Sequence, residues 1–340
     1  MNMKKTIDCP YCDGSANLHK EAKELTYRKE VYGIVAHFYR CEKCEEEFTT
    51  TEADNISLMQ AHNQYREKNN IPFPEEIAGI RQMYSLPASK MSDVLGLGTN
   101  GYSNYENGEI PTPAYGNLIS AVSEPQTFLN LLDKAKEHFS ENAFKKARER
   151  VLFLAQNPDE TQNICSILNI YNESNNYTGY KKPLPAKIAN LVTYYIQHSK
   201  PDFNDKLKLN KQLFFSDFTH YKNHGTSITG LSYRAIKYGP VPAFYDNIYT
   251  YLENEQFISS QFLKLPNGGA REVFISEADF DKSLFTEEEK ETIYTIIENF
   301  ADISTWDIVD LSHKEKAWQE LEAKRELIGY QDYAFELKAV

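Results

Sequence analysis

Apolar residues in this chain recur in short, punctuated bursts. In PEEIAGIRQMYSL the stripe Ile77, Ile80, Tyr84 has helical spacing, with proline at the first position and two glutamates in the first turn. PASKMSDVLGL repeats the pattern with Met91, Val94 and Leu95 inward and a stop at Gly96. GTNGYSNYENGEIPTP then predicts a third short helix over Asn100–Tyr105, with Thr99 as its N-cap, Gly108 ending it and Pro111 barring resumption. PAYGNLISAVSEP and PQTFLNLLDKA add two more helices, each opened by proline, and residues 132–157 read as a helical connector.

The flanking regions follow other periods. ELTYRKEVYGIVAHFYRC is β-prone and predicts two short strands around Gly33, before a helix that begins near Thr51 or Glu52. Residues 168–182 read as a polar loop. After Pro185 the stripe Ile188, Leu191, Val192, Tyr195 predicts a helix, and KLKLNKQLFFSDFTHYKNHG a second, closed by Gly225. SITGLSYRAIKYGPVP alternates like a strand up to a GPVP breaker, and AFYDNIYTYLENEQF is helical. SSQFLKLPNGGAREVFIS predicts two strands around an Asn-Gly turn. TEEEKETIYTIIENF and HKEKAWQELEAKREL predict closing helices.

At 340 residues and 41% apolar content the chain has room for several globular domains. No apolar run reaches the ~18 residues that span a bilayer, and MNMKKTIDCP has no apolar stretch behind its lysines, so neither membrane nor export is expected. A reducing, cytoplasmic setting follows. The net charge of −12 argues against a nonspecific nucleic-acid coat. The stretch 71–125 has only Arg81 and Lys90 against Glu75, Glu76, Asp93, Glu106, Glu109 and Glu124, so a DNA reader there has few groups for phosphates.

The strongest chemistry is cysteine spacing. Cys9/Cys12 (CPYC) and Cys41/Cys44 (CEKC) form two C-x-x-C pairs, each able to turn two thiolates toward one ion. Structural Zn2+ is the favoured occupant, with redox or disulfide use and an iron–sulfur cluster as alternatives. Four thiolates leave no open coordination position, so the module is a scaffold rather than a catalyst. Cys165 is alone.

The middle helices fit a helix-turn-helix, either a DNA reader or a small helical spacer. In the first reading Asn100 and Asn104 pair with adenine edges or touch phosphate, Thr99 and Ser103 donate to phosphate, Tyr102 packs on a sugar or methyl group, and Lys90 is the nearby cation. In the C-terminal half, Asp217, His220, Tyr221 and His224 share helical spacing, with His313 and Asp307 further on. That set could hold a metal or be a plain polar face; HExxH, GxSxG and P-loop motifs are absent from the sequence. Lys208, Lys211, Arg234, Lys237 and Tyr238 cluster near GPVP and are expected to rim a protein-binding groove.

On CPYC…CEKC and IRQMYSLPASKMSDVLGLGTNGYSNYENGEIPTP, residues 1–130 resemble the MqsA antitoxins, which join a YgiT-type zinc finger to an Xre-like helix-turn-helix. The resemblance implies Zn2+, toxin binding by the first module, and a dimer that binds a palindromic double-stranded operator and represses its own operon. Asn104 stands where that family often has Arg. On KIANLVTYYI, KLKLNKQLFFSDF, GLSYRAIKYGPVP and WDIVDLSHKEKAW, residues 160–325 resemble a SocA-like Panacea domain, which implies a neutralising or protease-adaptor module.

The expected organisation is multidomain. A small four-cysteine zinc-binding α+β module with a linker helix spans 1–70, and an all-α helix-turn-helix domain spans 71–135. A connector covers 136–158, and a mostly helical α+β domain with a small sheet covers 159–340. The expected function is a type II antitoxin and autorepressor, not an enzyme. Its expected partners are an operator, a cognate toxin, a protease component and a second copy of the chain. A non-DNA-binding adaptor and a metal-dependent enzyme are the alternatives.

Overall fold

The computed structural model describes residues 3–157, 173–264 and 268–340. The chain divides into two compact units, one holding the described residues of Met1–Ala61 and Ile164–Val340, the other those of His62–Asn163.

The first unit starts with a four-stranded antiparallel sheet in sequence order, β1 (Thr6–Asp8), β2 (Ser15–Tyr27), β3 (Glu30–Cys41) and β4 (Glu47–Phe48). β2 and β3 are long, not short. Gly33 lies inside β3, and the reversal falls on Arg28 and Lys29, both with positive φ (49° and 70°). Two side chains without glycine's freedom hid this tight turn from a reading based on turn composition. The helix α1 (Thr51–Lys68) follows.

In the C-terminal part of this unit, α8 (Pro185–His198) and α9 (Lys206–His224) carry the core. Leu209, Leu213, Phe214, Phe215, Phe218 and Tyr221 of α9 are fully buried on every side of the helix. A helix buried all round, here with Lys208, Lys211 and Asp217 enclosed beside the apolar residues, must run through the middle of a domain. α11 (Glu287–Phe300), α12 (Thr305–His313), α8 and a small hairpin pack around it. That hairpin is β5 (Tyr233–Ile236) with β6 (Gly239–Pro242). The GPVP segment is therefore itself a strand: its prolines can sit there because the sheet has only two strands and leaves an edge. α10 (Tyr245–Asn254) leads to the hairpin β7 (Ile258–Lys264) and β8 (Ala270–Ser276). Asn267 of the expected turn lies outside the described residues, as does Cys165. The last predicted helix is shorter, α13 (Lys316–Leu321), and α14 (Tyr330–Tyr333) follows.

The N-terminal sheet and this domain share contacts. The His37 ring meets Phe335 at 5.4 Å. Gln60 of α1 is buried; its amide donates to Val35 O (2.9 Å) and its carbonyl oxygen accepts from Val35 N (2.7 Å). The same oxygen accepts from Gln331 Nε2 (2.8 Å), and Gln331 accepts from the Tyr221 hydroxyl (2.8 Å).

The second unit contains α2 (Pro74–Met83), α3 (Ala88–Leu95), α4 (Gly101–Glu106), α5 (Pro113–Ala121), α6 (Pro125–Lys134) and α7 (Glu141–Gln156). Proline opens α2, α5 and α6, where its missing N–H costs nothing. The core joins Ile77, Met91, Tyr102, Ile119, Phe128, Leu132 and Val151. Tyr84 stacks on Phe128 at 4.1 Å and donates to Val122 O (2.7 Å).

Candidate metal centre and nucleic-acid interface

β1 ends one residue before Cys9, and β3 ends on Cys41, so the two C-x-x-C turns face each other at one end of the sheet. All four sulfurs lie within 4.8 Å of one another, with Cys9 Sγ to Cys44 Sγ 3.7 Å and Cys12 Sγ to Cys41 Sγ 3.5 Å. Zinc bound at ~2.3 Å by four thiolates has sulfur–sulfur edges of about 3.8 Å, so the donor set and spacing fit this ion. Backbone amides point at sulfur: Tyr11 N to Cys9 (3.4 Å), Gly14 N to Cys12 (3.3 Å) and Lys43 N to Cys41 (3.4 Å). Such amides favour negative sulfur, and that of Cys44 pulls the Cys41 thiol down to about 6, while burial and the neighbouring thiols hold Cys12 and Cys44 above the usual thiol range. Gly14 is needed here. A Cβ at that position would lie 2.7 Å from Lys43 Cβ, 3.1 Å from Cys41 Sγ and 3.2 Å from Cys12 Sγ.

In the helical unit, α3 ends on Gly96 in the left-handed region (φ 66°), which turns the chain toward α4. Tyr102 is fully buried, and its hydroxyl donates to Ile77 O (2.8 Å). It is a core residue of the three-helix array and does not reach a sugar or methyl group. The DNA-reading expectation needs this side chain at the surface, but position 102 faces inward. The N-cap of α4 is Asn100 rather than Thr99, and its side chain makes no capping bond. Thr99, Asn100 and Asn104 are exposed and Ser103 is half-buried. Lys90 is tied to Asp93 (2.8 Å) and the His138 carbonyl, so its charge is partly spent inside the unit. Two arginines organise the surroundings. Arg81 pairs with Glu106 (2.6 Å). Arg66 of α1 donates to the Pro72, Gly108 and Glu109 carbonyls (2.9, 3.0 and 3.1 Å).

The expected basic rim in the C-terminal half is different from its sequence reading. Lys208 and Lys211 are fully buried. Lys208 Nζ donates to the Ala301 and Ile303 carbonyls (both 2.9 Å), and Lys211 Nζ to Pro240 O (2.8 Å). Burial lowers Lys208 to about 8 and Lys211 to about 7. Both are structural pins, and neither rims a groove. Arg234 donates to Arg325 O (2.7 Å), Lys237 lies over the Tyr238 ring, and Tyr238 is exposed beside Trp306, edge to face at 6.1 Å.

The polar face 217–224 also separates. Asp217 is fully buried and accepts from Ile228 N, Thr229 N (both 2.8 Å), the Thr229 hydroxyl and the Tyr233 hydroxyl (2.7 Å). Its carboxylate clamps the loop before β5 and is not a ligand. Tyr221 is committed to Gln331. His220 and His224 remain together, their rings stacked at 4.5 Å. Burial holds both below the usual histidine range. His313 stacks on Trp318, and Asp307 completes the capping box of α12.

One chain thus joins a cysteine-clipped sheet, a three-helix array and a helical α+β domain. Residues 7–141 match the family described as the antitoxin component of bacterial toxin-antitoxin systems, MqsA, and residues 209–319 match that described as antitoxin SocA-like, Panacea domain. Antitoxin MqsA of Escherichia coli (strain K12) is 28% identical over 131 residues, covering 36% of this chain and 98% of that protein. Both motif-based resemblances are borne out. Among the described residues no helix is long and apolar enough to cross a membrane.

Proposed function

We propose that this chain is the antitoxin of a type II toxin-antitoxin system and a repressor of its own operon. The observation that carries the reading is the pairing of two antitoxin-type segments in one chain, the first with a four-cysteine cluster and a helix-turn-helix array. Zn2+ organises the first module. α3 and α4 present Thr99, Asn100, Ser103 and Asn104 to DNA, and two copies of the chain read a palindrome, since one short helix covers only a half-site. The toxin, or a protease component, binds the C-terminal half around Lys237, Tyr238 and Trp306. Exposed tyrosine and tryptophan support that surface, because such residues anchor protein interfaces. The working compartment is the cytoplasm, and no catalytic role is assigned.

Mobility shift with the DNA upstream of the gene tests the repressor reading. Asn100→Ala is expected to weaken operator binding by about 1–3 kcal/mol, the worth of a bidentate base contact. Unchanged affinity removes α4 as the reading helix. A second reading, an adaptor that does not bind DNA, is favoured by the few cations of this region and the internal pairing of Lys90. Retention of toxin or protease binding by a chain that ignores its upstream DNA would decide for the adaptor.

A further inference from the structure

His220 and His224 stand one helical turn apart on α9, on the wall of a cavity of about 420 Å³ that Glu52, Asn55, Asn223 and Glu288 also line. His220 is only 4% exposed. Its Nδ1 lies 3.1 Å from the Thr292 hydroxyl, and that hydroxyl donates its own proton to the Glu288 carbonyl (3.1 Å). The hydroxyl can therefore only accept from the ring, so Nδ1 carries the hydrogen. Nε2 is then the bare lone-pair nitrogen, and it has no hydrogen-bond partner among the described residues.

A buried imidazole with its tautomer fixed from behind and its lone pair unspent is how proteins prepare a metal ligand. A second histidine four residues on is the helical spacing that places two imidazoles on one ion. Glu289 is excluded from this role, since Lys181, Lys187 and the Thr286 amide occupy its oxygens. Glu288 is exposed and lies one turn before Thr292 on α11.

We propose that His220 and His224 bind a divalent transition-metal ion in this cavity, a second site distinct from the four cysteines, with Glu288 and water completing the coordination. Nitrogen and oxygen donors of this kind suit Zn2+, Ni2+ or Cu2+. Among the described residues only the four cysteines form a converged group of three or more metal-ligating side chains. The histidine site therefore needs Glu288 to swing in, and holds its ion more weakly than the thiolate centre does.

The test uses the full chain with zinc in the cysteine site, dialysed against a weak chelator and titrated with Zn2+ by calorimetry. One further equivalent is expected. His224→Ala should abolish or greatly weaken it, and Thr292→Val, which is close in shape and retains both imidazoles, should lower the affinity about 10-fold. Co2+ added to the same protein should give ligand-field bands without the thiolate charge-transfer band that marks the cysteine site. Absence of a further equivalent overturns the proposal. So does a further equivalent that His220→Ala and His224→Ala leave unchanged, or one whose Co2+ spectrum carries thiolate charge transfer.

Discussion

His37 shows how one residue ties the N-terminal sheet to its surroundings. It is buried against Phe335; Nδ1 donates to Val35 O (3.0 Å), and Nε2 has no hydrogen-bond partner among the described residues. Burial first, then the nearby charge of Lys20 and, after the opposing Val35 bond, that of Lys222, lower its pKa to about 4. The unfolded chain protonates near 6.5. Stability from this residue is therefore complete above about pH 6.5 and is lost as pH falls toward 4, by up to about 3 kcal/mol. Urea unfolding at pH 7 and pH 4.5 should show the loss, and His37→Leu should flatten it. Nothing in HFYRC marks position 37 as buried. Lys208 and Lys211 misled for a related reason: lysine is usually exposed, and only the fold reveals that backbone carbonyls await both ammonium groups. The four cysteines were fully legible because their spacing carries the chemistry by itself.

At the scale of elements, the sequence was most readable where glycine and proline punctuate it. α2, α3, α5 and α6 lie where those residues bracket an apolar stripe. The long hairpin was not legible, since Arg28 and Lys29 supply its turn without the usual residues. The turn at Gly14 is the converse case, where the glycine is dictated by crowding. Gly14→Ala would press a methyl group into the Cys12 and Cys41 sulfurs, and is expected to weaken metal retention measurably. Competition with a chromogenic chelator would follow this as faster metal release than from the unaltered chain. Equal release rates would mean the turn relaxes without cost to the site.

Over the whole molecule, segments distant in sequence share one unit: the first 61 residues group with the C-terminal half rather than with the helical array. No local period could announce that grouping, because it depends on pairs such as Gln60 with Gln331 and His37 with Phe335. A chelator that strips the metal should therefore loosen more than the cysteine turns. Hydrogen exchange is expected to accelerate along β2 and β3 and also at Ala334–Glu336, while the amides around Tyr84 and Phe128 stay protected. Faster exchange confined to residues 6–48 would show that the shared contacts do not depend on the ion.

The carboxamide of Gln60 meets the outer side of β3 much as a neighbouring strand would, taking both the N–H and the C=O of Val35. β4 pairs with β3 at Tyr39 and Arg40, whereas at Val35 a fully buried side chain meets the strand instead. Gln60→Ala should thus strand the Val35 N–H and C=O away from water and cost about 1–3 kcal/mol, read as a lower melting temperature. An unchanged melting transition would show that this strand holds its place without the carboxamide.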